Sequence, residues 1–156
     1  MKLTNTSKRF ALIGSITLLL CHSLVAQEKK IPAKDVPAAV IKAFKTAYPN
    51  ATIRGYAREK ENGKTYYEIE SRDGKTGRDV LYNPDGTVAE VEETIAANDL
   101  PAAAQQMIHA RHAKAVITKV EKTTVGDKVT YEISARQGRR RFSLEFDSSG
   151  KLLKGK

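Results

Sequence analysis

The sequence predicts an α+β protein: two tandem α-β4 repeats forming one antiparallel meander sheet, with two helices packed on one face. Three observations carry that reading. Sliding the 156-residue chain by 64 positions pairs residues 35–92 with 99–156 without a gap, and 13 of those 58 pairs are identical; chance would give roughly 3 or 4, so the chain is a duplication. Each copy opens on the same helix start, Asp35-x-Pro37-Ala38-Ala39 and Asp99-x-Pro101-Ala102-Ala103. Four strand-like runs follow each start, and the turns between them are too short for parallel crossovers, which need roughly a dozen residues.

Residues 1–26 come first and read as an export signal. Lys2, Lys8 and Arg9 form a basic start, Phe10 to Leu20 is an apolar run too short to span a bilayer comfortably, and a stretch ending at Ala26 precedes charged residues. Leu18-Leu19-Leu20-Cys21 has the outline of a lipobox, but Leu20 is large where a small residue is wanted. Cleavage near Ala26 is therefore expected, with acylation of Cys21 as the alternative. Residues 27–34 read as a short linker, 35–97 as the first repeat and 98–156 as the second.

In each repeat the Asp is placed as a helix N-cap, its carboxylate accepting from free N–H groups, with Pro37 or Pro101 in the first turn. Val36, Val40, Phe44 and Ala47 form one apolar stripe. Leu100, Ala104, Met107, Ile108 and Arg111 form a less regular one. Tyr48-Pro49-Asn50 stops the first helix, since proline cannot continue it. The strand runs are expected at about 52–60, 64–71, 78–83 and 87–95, then about 116–124, 128–135, 140–146 and 151–154. Alternation puts Tyr67, Ile69, Val80 and Tyr82 on the helix side, with Tyr131, Ile133, Ala135, Phe142, Leu144 and Phe146. Tyr66, Glu68, Glu70, Thr130, Glu132, Ser134, Arg141, Ser143 and Glu145 fall on the open side. The first strand of each repeat conflicts with itself: Ile53 and Ile117 give one phase, Tyr56 and Val120 the other, which a β-bulge would reconcile.

These pieces together resemble the bacterial PepSY-like proteins, also described as β-lactamase-inhibitor-like. The matching motifs are Val36-Pro37-Ala38-Ala39-Val40, Ala43-Phe44, Tyr48-Pro49, Tyr67-Glu68-Ile69 and Asp85-Gly86. Leu100-Pro101-Ala102, Tyr131-Glu132-Ile133 and Phe146-Asp147 with Gly150 answer them. His112-Ala113 and Ser148-Ser149-Gly150 depart from the pattern. The resemblance implies an exported, non-enzymatic protein of a class that binds or inhibits other proteins across the open face of the sheet.

Composition narrows the chemistry. With one Cys and three His, the chain lacks the ligands for a disulfide framework, an iron–sulfur cluster or a Cys-rich zinc site. His109 and His112 stand three apart on the second helix but have no third ligand, and read as surface residues. Asp85-Gly86 and Asp147-Ser148-Ser149-Gly150 are hairpin turns rather than calcium loops, because neither spreads oxygen ligands and ends in a bidentate Glu. No Ser or Cys has a base at a recognisable spacing, and every loop is short, so no enzyme, cofactor or metal is expected. No apolar run long enough to cross a membrane follows the leader.

Charge is unevenly placed. Residues 27–97 carry 12 Lys+Arg and 12 Asp+Glu, whereas residues 98–156 carry 12 and 6, so the second repeat holds +6 of the net +9. Arg136, Arg139, Arg140 and Arg141 surround one hairpin. An exported chain without aromatics interleaved among those cations does not suit nucleic acid. The expected function is therefore a non-catalytic binding or inhibitory module in the periplasm or outside the cell, its partner a periplasmic or extracellular protein. Tyr56, Tyr66, Glu68, Glu132, Arg139, Arg140 and Arg141 are the candidate contact residues, since aromatic and Arg side chains usually carry binding energy. The alternative is an envelope-associated structural protein held on an anionic surface by its basic second repeat.

Overall fold

The computed structural model describes residues 27–155, so the expected export signal and Cys21 lie outside the described residues. Nine strands form a single antiparallel sheet in the order of the chain. They are β1 (Gln27–Lys30), β2 (Thr52–Glu61), β3 (Lys64–Asp73), β4 (Thr76–Tyr82), β5 (Val88–Thr94), β6 (Val116–Val125), β7 (Lys128–Gln137), β8 (Arg140–Asp147) and β9 (Leu152–Gly155). Helix α1 (Ala38–Ala47) precedes β2, and α2 (Ala102–Arg111) precedes β6.

The helices are fixed by their apolar stripes. Val36, Val40 and Phe44 pack with Ile69, Val80 and Tyr82 into one core, and Leu100, Ala104 and Ile108 pack with Val120, Ile133, Ala135, Leu144 and Phe146 into another. Ala47 and Arg111, expected at the ends of those stripes, are exposed. The helices also start later than the Asp residues suggest. Asp35 and Asp99 close short 3-10 turns, and Pro37 and Pro101 occupy the N-cap positions. The residue before a proline is pushed out of the helical region, so Val36 and Leu100 stay extended and separate each Asp from its helix. Asp99 instead accepts from the Ala96 N–H through Oδ2 at 3.2 Å.

The strand phases agree with the alternation, and the conflict in the first strand resolves as anticipated. The register of β2 on β3 slips between Ile53 and Gly55, and that of β6 on β7 slips between Ile117 and Lys119. The extra residues, Arg54 and Thr118, are 64 apart, so both repeats carry the same bulge. Because of it, Ile53 and Tyr56 both pack against the first core.

Residues 27–34 are not a linker. β1 pairs with β2 as Glu28↔Glu59, Lys29↔Arg58 and Lys30↔Ala57, and β5 pairs with β6 as Glu92↔Thr123, Glu93↔Lys122 and Thr94↔Glu121. A shift of 64 maps one set onto the other. The Ile31 N–H donates to the Tyr56 carbonyl at 3.0 Å, as Ile95 does to Val120 at 3.0 Å. The pairing pattern of the repeat is therefore already present at Gln27–Lys30, a segment hidden in the sequence because its four strand residues are polar or charged. β5 serves both repeats: Val91 packs on the first core, and Ile95, just beyond the strand, packs on the second.

Hairpin turns pin the helix starts to the sheet. Asp85 Oδ1 accepts from the Thr87 N–H at 2.9 Å, and Asp147 Oδ1 accepts from the Ser149 and Lys151 N–H groups at 2.9 and 3.0 Å. Gly86 and Gly150 follow at φ 88° and 84°. A β-carbon at Gly86 would stand 2.8 Å from the Ala39 carbonyl oxygen, and one at Gly150 would stand 2.7 Å from the Ala104 nitrogen. Backbone conformation and space both demand glycine there. Gly86→Ala and Gly150→Ala are each expected to lower unfolding free energy by about 1–3 kcal/mol, measured by urea denaturation. Gly138→Ala, at φ 60° in open space, should cost less than Gly150→Ala.

Candidate functional site: the open face of the sheet

With both helices on one side, every second residue of the strands projects from the other. Over the first repeat these include eight carboxylates, Glu28 on β1, Glu59 and Glu61 on β2, Glu68 and Glu70 on β3, Asp79 on β4, Glu90 and Glu92 on β5, against three cations, Lys30, Lys64 and Arg72. The neighbouring cations Lys29, Arg58, Lys60 and Arg78 have the opposite parity and lie on the helix side. The neutral total of this repeat therefore conceals a sheet that is acidic on one side and basic on the other.

Glu59, Glu61, Glu68, Asp79, Glu90 and Glu92, with Leu81, line a depression of about 240 Å³. Burial pushes the Glu68 carboxyl up to about 7, aided by the charges of Glu59, Asp79, Glu28 and Glu70. Burial also raises Glu59, Asp79 and Glu90, with surrounding carboxylates adding to it. A hydrogen bond with Glu121, then burial, raises Glu92. Glu121 moves the other way: against the effect of burial, the bond from Glu92 and the ion pair with Lys119 hold it ionised. Few cations relieve the crowding; Lys30, itself mostly in solvent, stands 3.8 Å from Glu70. Glu28, Glu68 and Glu70 bring carboxylate oxygens within 4.8 Å of one another. Three ligands fall short of the about six to eight oxygens that calcium takes.

Over the second repeat the same face changes character. Thr123, Thr130, Ser134 and Ser143 occupy positions that are Glu59, Tyr66, Glu70 and Asp79 in the first. Arg136 pairs across from Arg141, and Glu132 stands between Glu121 and Glu145. Thr118, Glu132, Ser134, Arg136, Arg141 and Ser143 line a wider depression of about 650 Å³.

The expected contact residues do not all share this face. Tyr66 and Glu68 lie two apart on it, and Glu132 and Arg141 lie on it over the second repeat. Tyr56 does not: it pairs with the fully buried Ile69 and packs on the core, because the bulge at Arg54 reverses its phase. Arg140 pairs with Gln137 and shares the helix side with Phe142, while Arg139 sits in the turn, so the three arginines do not form one patch. His112 stacks on Phe142 with ring centroids 4.8 Å apart, and His109 is exposed. At the equivalent place in the first repeat, Arg78 lies over the Tyr48 ring at 4.2 Å and donates to Glu93 at 2.7 Å. The carboxylate depression was missed by sequence reasoning, although Glu59-x-Glu61, Glu68-x-Glu70 and Glu90-x-Glu92 carry its signal: acids repeated at period two on β2, β3 and β5.

The crowding makes stability depend on pH. Glu68 takes its proton at about 7 in the fold, against an ordinary value of 4.5. Its stabilising share is complete below the ordinary value and is lost as pH rises through 7. Glu59, Asp79, Glu90 and Glu92 shift in the same direction. The lowered carboxyls of Asp85 and Asp147 act only in more acidic solution, near and below their ordinary 3.8. The protein should therefore melt at a higher temperature at about pH 5 than at about pH 8, and Glu68→Gln should raise the value at about pH 8 and shrink the difference. A melting temperature that falls on acidification over that range would contradict the arrangement.

The profile of a family described as "Putative beta-lactamase-inhibitor-like, PepSY-like" matches the chain twice, at residues 23–90 and 65–154. No curated protein matches it. Among solved structures it is similar to a protein of Bacteroides eggerthii described as "putative periplasmic", with TM-score 0.63, 19% identity, and coverage of 78% of this chain and 88% of that one. It is also similar to a BLIP-like protein of Bacteroides fragilis, with TM-score 0.59, 23% identity, and coverage of 81% and 86%. A DUF2874 family protein of Bacteroides ovatus has TM-score 0.59, 20% identity, and coverage of 77% and 86%. At these identities the likeness is one of fold. Among the described residues, no helix is long and apolar enough to cross a membrane.

Proposed function

Since the chain belongs to the PepSY-like, beta-lactamase-inhibitor-like family, we propose that it is an exported, non-catalytic module that binds another protein across the open face of its sheet. The observation that carries this reading is the division of that face into an acidic first half and a second half bearing Arg136 and Arg141. A partner presenting Lys or Arg over the first repeat would relieve the repulsion among Glu59, Glu68, Asp79 and Glu90, so that desolvated carboxylates gain counter-ions on binding. Tyr66, half-buried beside Glu68, supplies the aromatic contact. Export through cleavage near Ala26 and a periplasmic address belong to the same proposal; they are supported by the basic and apolar start of the chain and by relatives described as periplasmic.

The second reading, a structural protein held on the anionic envelope, is favoured by the four arginines around the β7–β8 hairpin. The two readings separate by variant. Recovery of a partner from the envelope fraction should survive replacement of Arg139, Arg140 and Arg141 by Ser and should be lost with Tyr66→Ala combined with Glu68→Lys. Tyr66→Ala alone should change stability by less than about 1 kcal/mol. Ile69→Ala, on the opposite face of the same strand, should cost about 2–5 kcal/mol. Envelope binding that ignores the Tyr66 and Glu68 changes, vanishes with the arginines and fades steeply with salt would favour the second reading instead.

A further inference from the structure

The second half of the open face differs from the first by a coordinated exchange of residues. In the first repeat Arg72 stands across from Gly77, and its Nε donates to the Gly74 carbonyl at 3.0 Å. Glu70 and Asp79 pair in the next row along those strands. The positions 64 further on hold Arg136 across from Arg141, with Ser134 and Ser143 paired in the next row. The exchange adds a cation and removes both neighbouring carboxylates. Like charges directly opposite on adjacent strands repel, and among the described residues neither arginine has an ion-pair partner. β7 is flanked by β6 on one side and β8 on the other, so these pairings place the arrangement on the face of the sheet.

What this half offers a ligand follows from its side chains. Two facing guanidinium groups are matched by a phosphate monoester, which carries about −1.5 to −2 at neutral pH and has an oxygen pair for each fork. The half-buried Ser134 and Ser143 hydroxyls both donate and accept. Thr118 gives its proton to the Ser134 carbonyl at 3.0 Å, which leaves its oxygen as an acceptor. Glu132 is exposed two residues beyond Ser134 and accepts only. From Arg136 to Glu132 is roughly 13 Å of strand, and the depression of about 650 Å³ over these residues exceeds what a bare oxyanion fills. Cation, hydroxyls and carboxylate in that order suit a phosphoryl group followed by hydroxyl-bearing carbons. A flat anionic surface does not fit, because Glu121, Glu132 and Glu145 stand in one row across three strands and would repel it.

We propose that this depression binds the phosphate monoester of a sugar, with the phosphoryl group held between Arg136 and Arg141 and the sugar hydroxyls over Ser134, Ser143 and Glu132. The two guanidinium forks supply affinity, and the hydroxyl and carboxylate row supplies selectivity for a polyhydroxylated ligand. The site lies apart from the acidic depression of the first repeat and goes beyond the protein-binding reading, on which it does not depend.

Isothermal titration calorimetry with glucose 6-phosphate, in chloride at low ionic strength, tests the proposal. Saturable binding is expected, at least about tenfold tighter than that of glucose or of inorganic phosphate. Arg141→Gly restores the residue of the first repeat and should weaken binding at least about tenfold. Ser134→Glu with Ser143→Asp restores the first repeat's carboxylates and should do the same. Melting curves establish that each variant is folded, and Arg136→Gln serves if either is not. The titration contains no partner protein, so its failure and that of the protein-binding reading are seen separately. No saturable binding, or binding indifferent to these substitutions, would overturn the proposal. So would inorganic phosphate binding as tightly as the ester, which would reduce the site to a bare anion contact. Phosphatidic acid vesicles binding as tightly would also overturn it, by assigning the arginines to a lipid surface.

Discussion

Everything distinctive about this protein follows from covering only one side of the sheet. Val40 and Phe44 on α1, and Ala104 and Ile108 on α2, bury alternate residues of the strands beneath them. Strand geometry then leaves the intervening residues no choice but to project from the other side. A two-residue alternation of acid and base, unremarkable in a loop, becomes a separation of charge across the sheet once it is written into adjacent strands. Glu28 and Lys29 face Glu59 and Arg58 in register, so the carboxylates gather on the uncovered side while Lys29, Arg58 and Lys60 take the other side of the sheet. The depression lined by Glu59, Glu68, Asp79 and Glu90 follows from that rule, and so do its raised carboxyls.

A second consequence concerns the ends. Because β5 completes the first repeat and opens the second, the repeats share a strand rather than a loop. Val91 and Ile95 couple the two cores through it. Among the described residues, β1 and β9 each have a neighbour on one side alone. β1 supplies the half of a β5-like strand that pairs forward, and β9 supplies the half that pairs backward. Each edge is short and carries charge, the usual means of keeping exposed backbone groups from recruiting another sheet.

How much of this was legible in the sequence depended on whether a residue's role was local. The strand limits, the helix stripes and the helix-side set around Ile69 and Ile133 follow from periodicity and the spacing of 64, and they are found in place. Even the bulge was signalled, by the phase conflict of Ile53 with Tyr56, but its position was not, so Tyr56 fell on the wrong face. The helix starts misled because Asp-x-Pro offers two caps, and the restriction that proline places on its predecessor decides between them. β1 gave no apolar signal at all. The acidic depression is assembled from four strands, and a charge sum over residues 27–97 cancels it. Only knowledge of which side each residue takes separates the acids from the bases.

The duplication also supplies an internal control on what the acids are for. At the positions of Glu59, Glu70 and Asp79 the second repeat has Thr123, Ser134 and Ser143, and it builds the same strands, bulge and turn geometry with neutral side chains. The fold therefore does not need carboxylates there. Placed side by side and partly desolvated, they raise one another's proton affinity and oppose folding at neutral pH. One repeat carries a burden that its twin avoids, and positive charge laid over it would relieve it. The acidic surface is thus an asymmetry between otherwise equivalent repeats: unit one keeps acids at positions where unit two builds the same strands with neutral side chains.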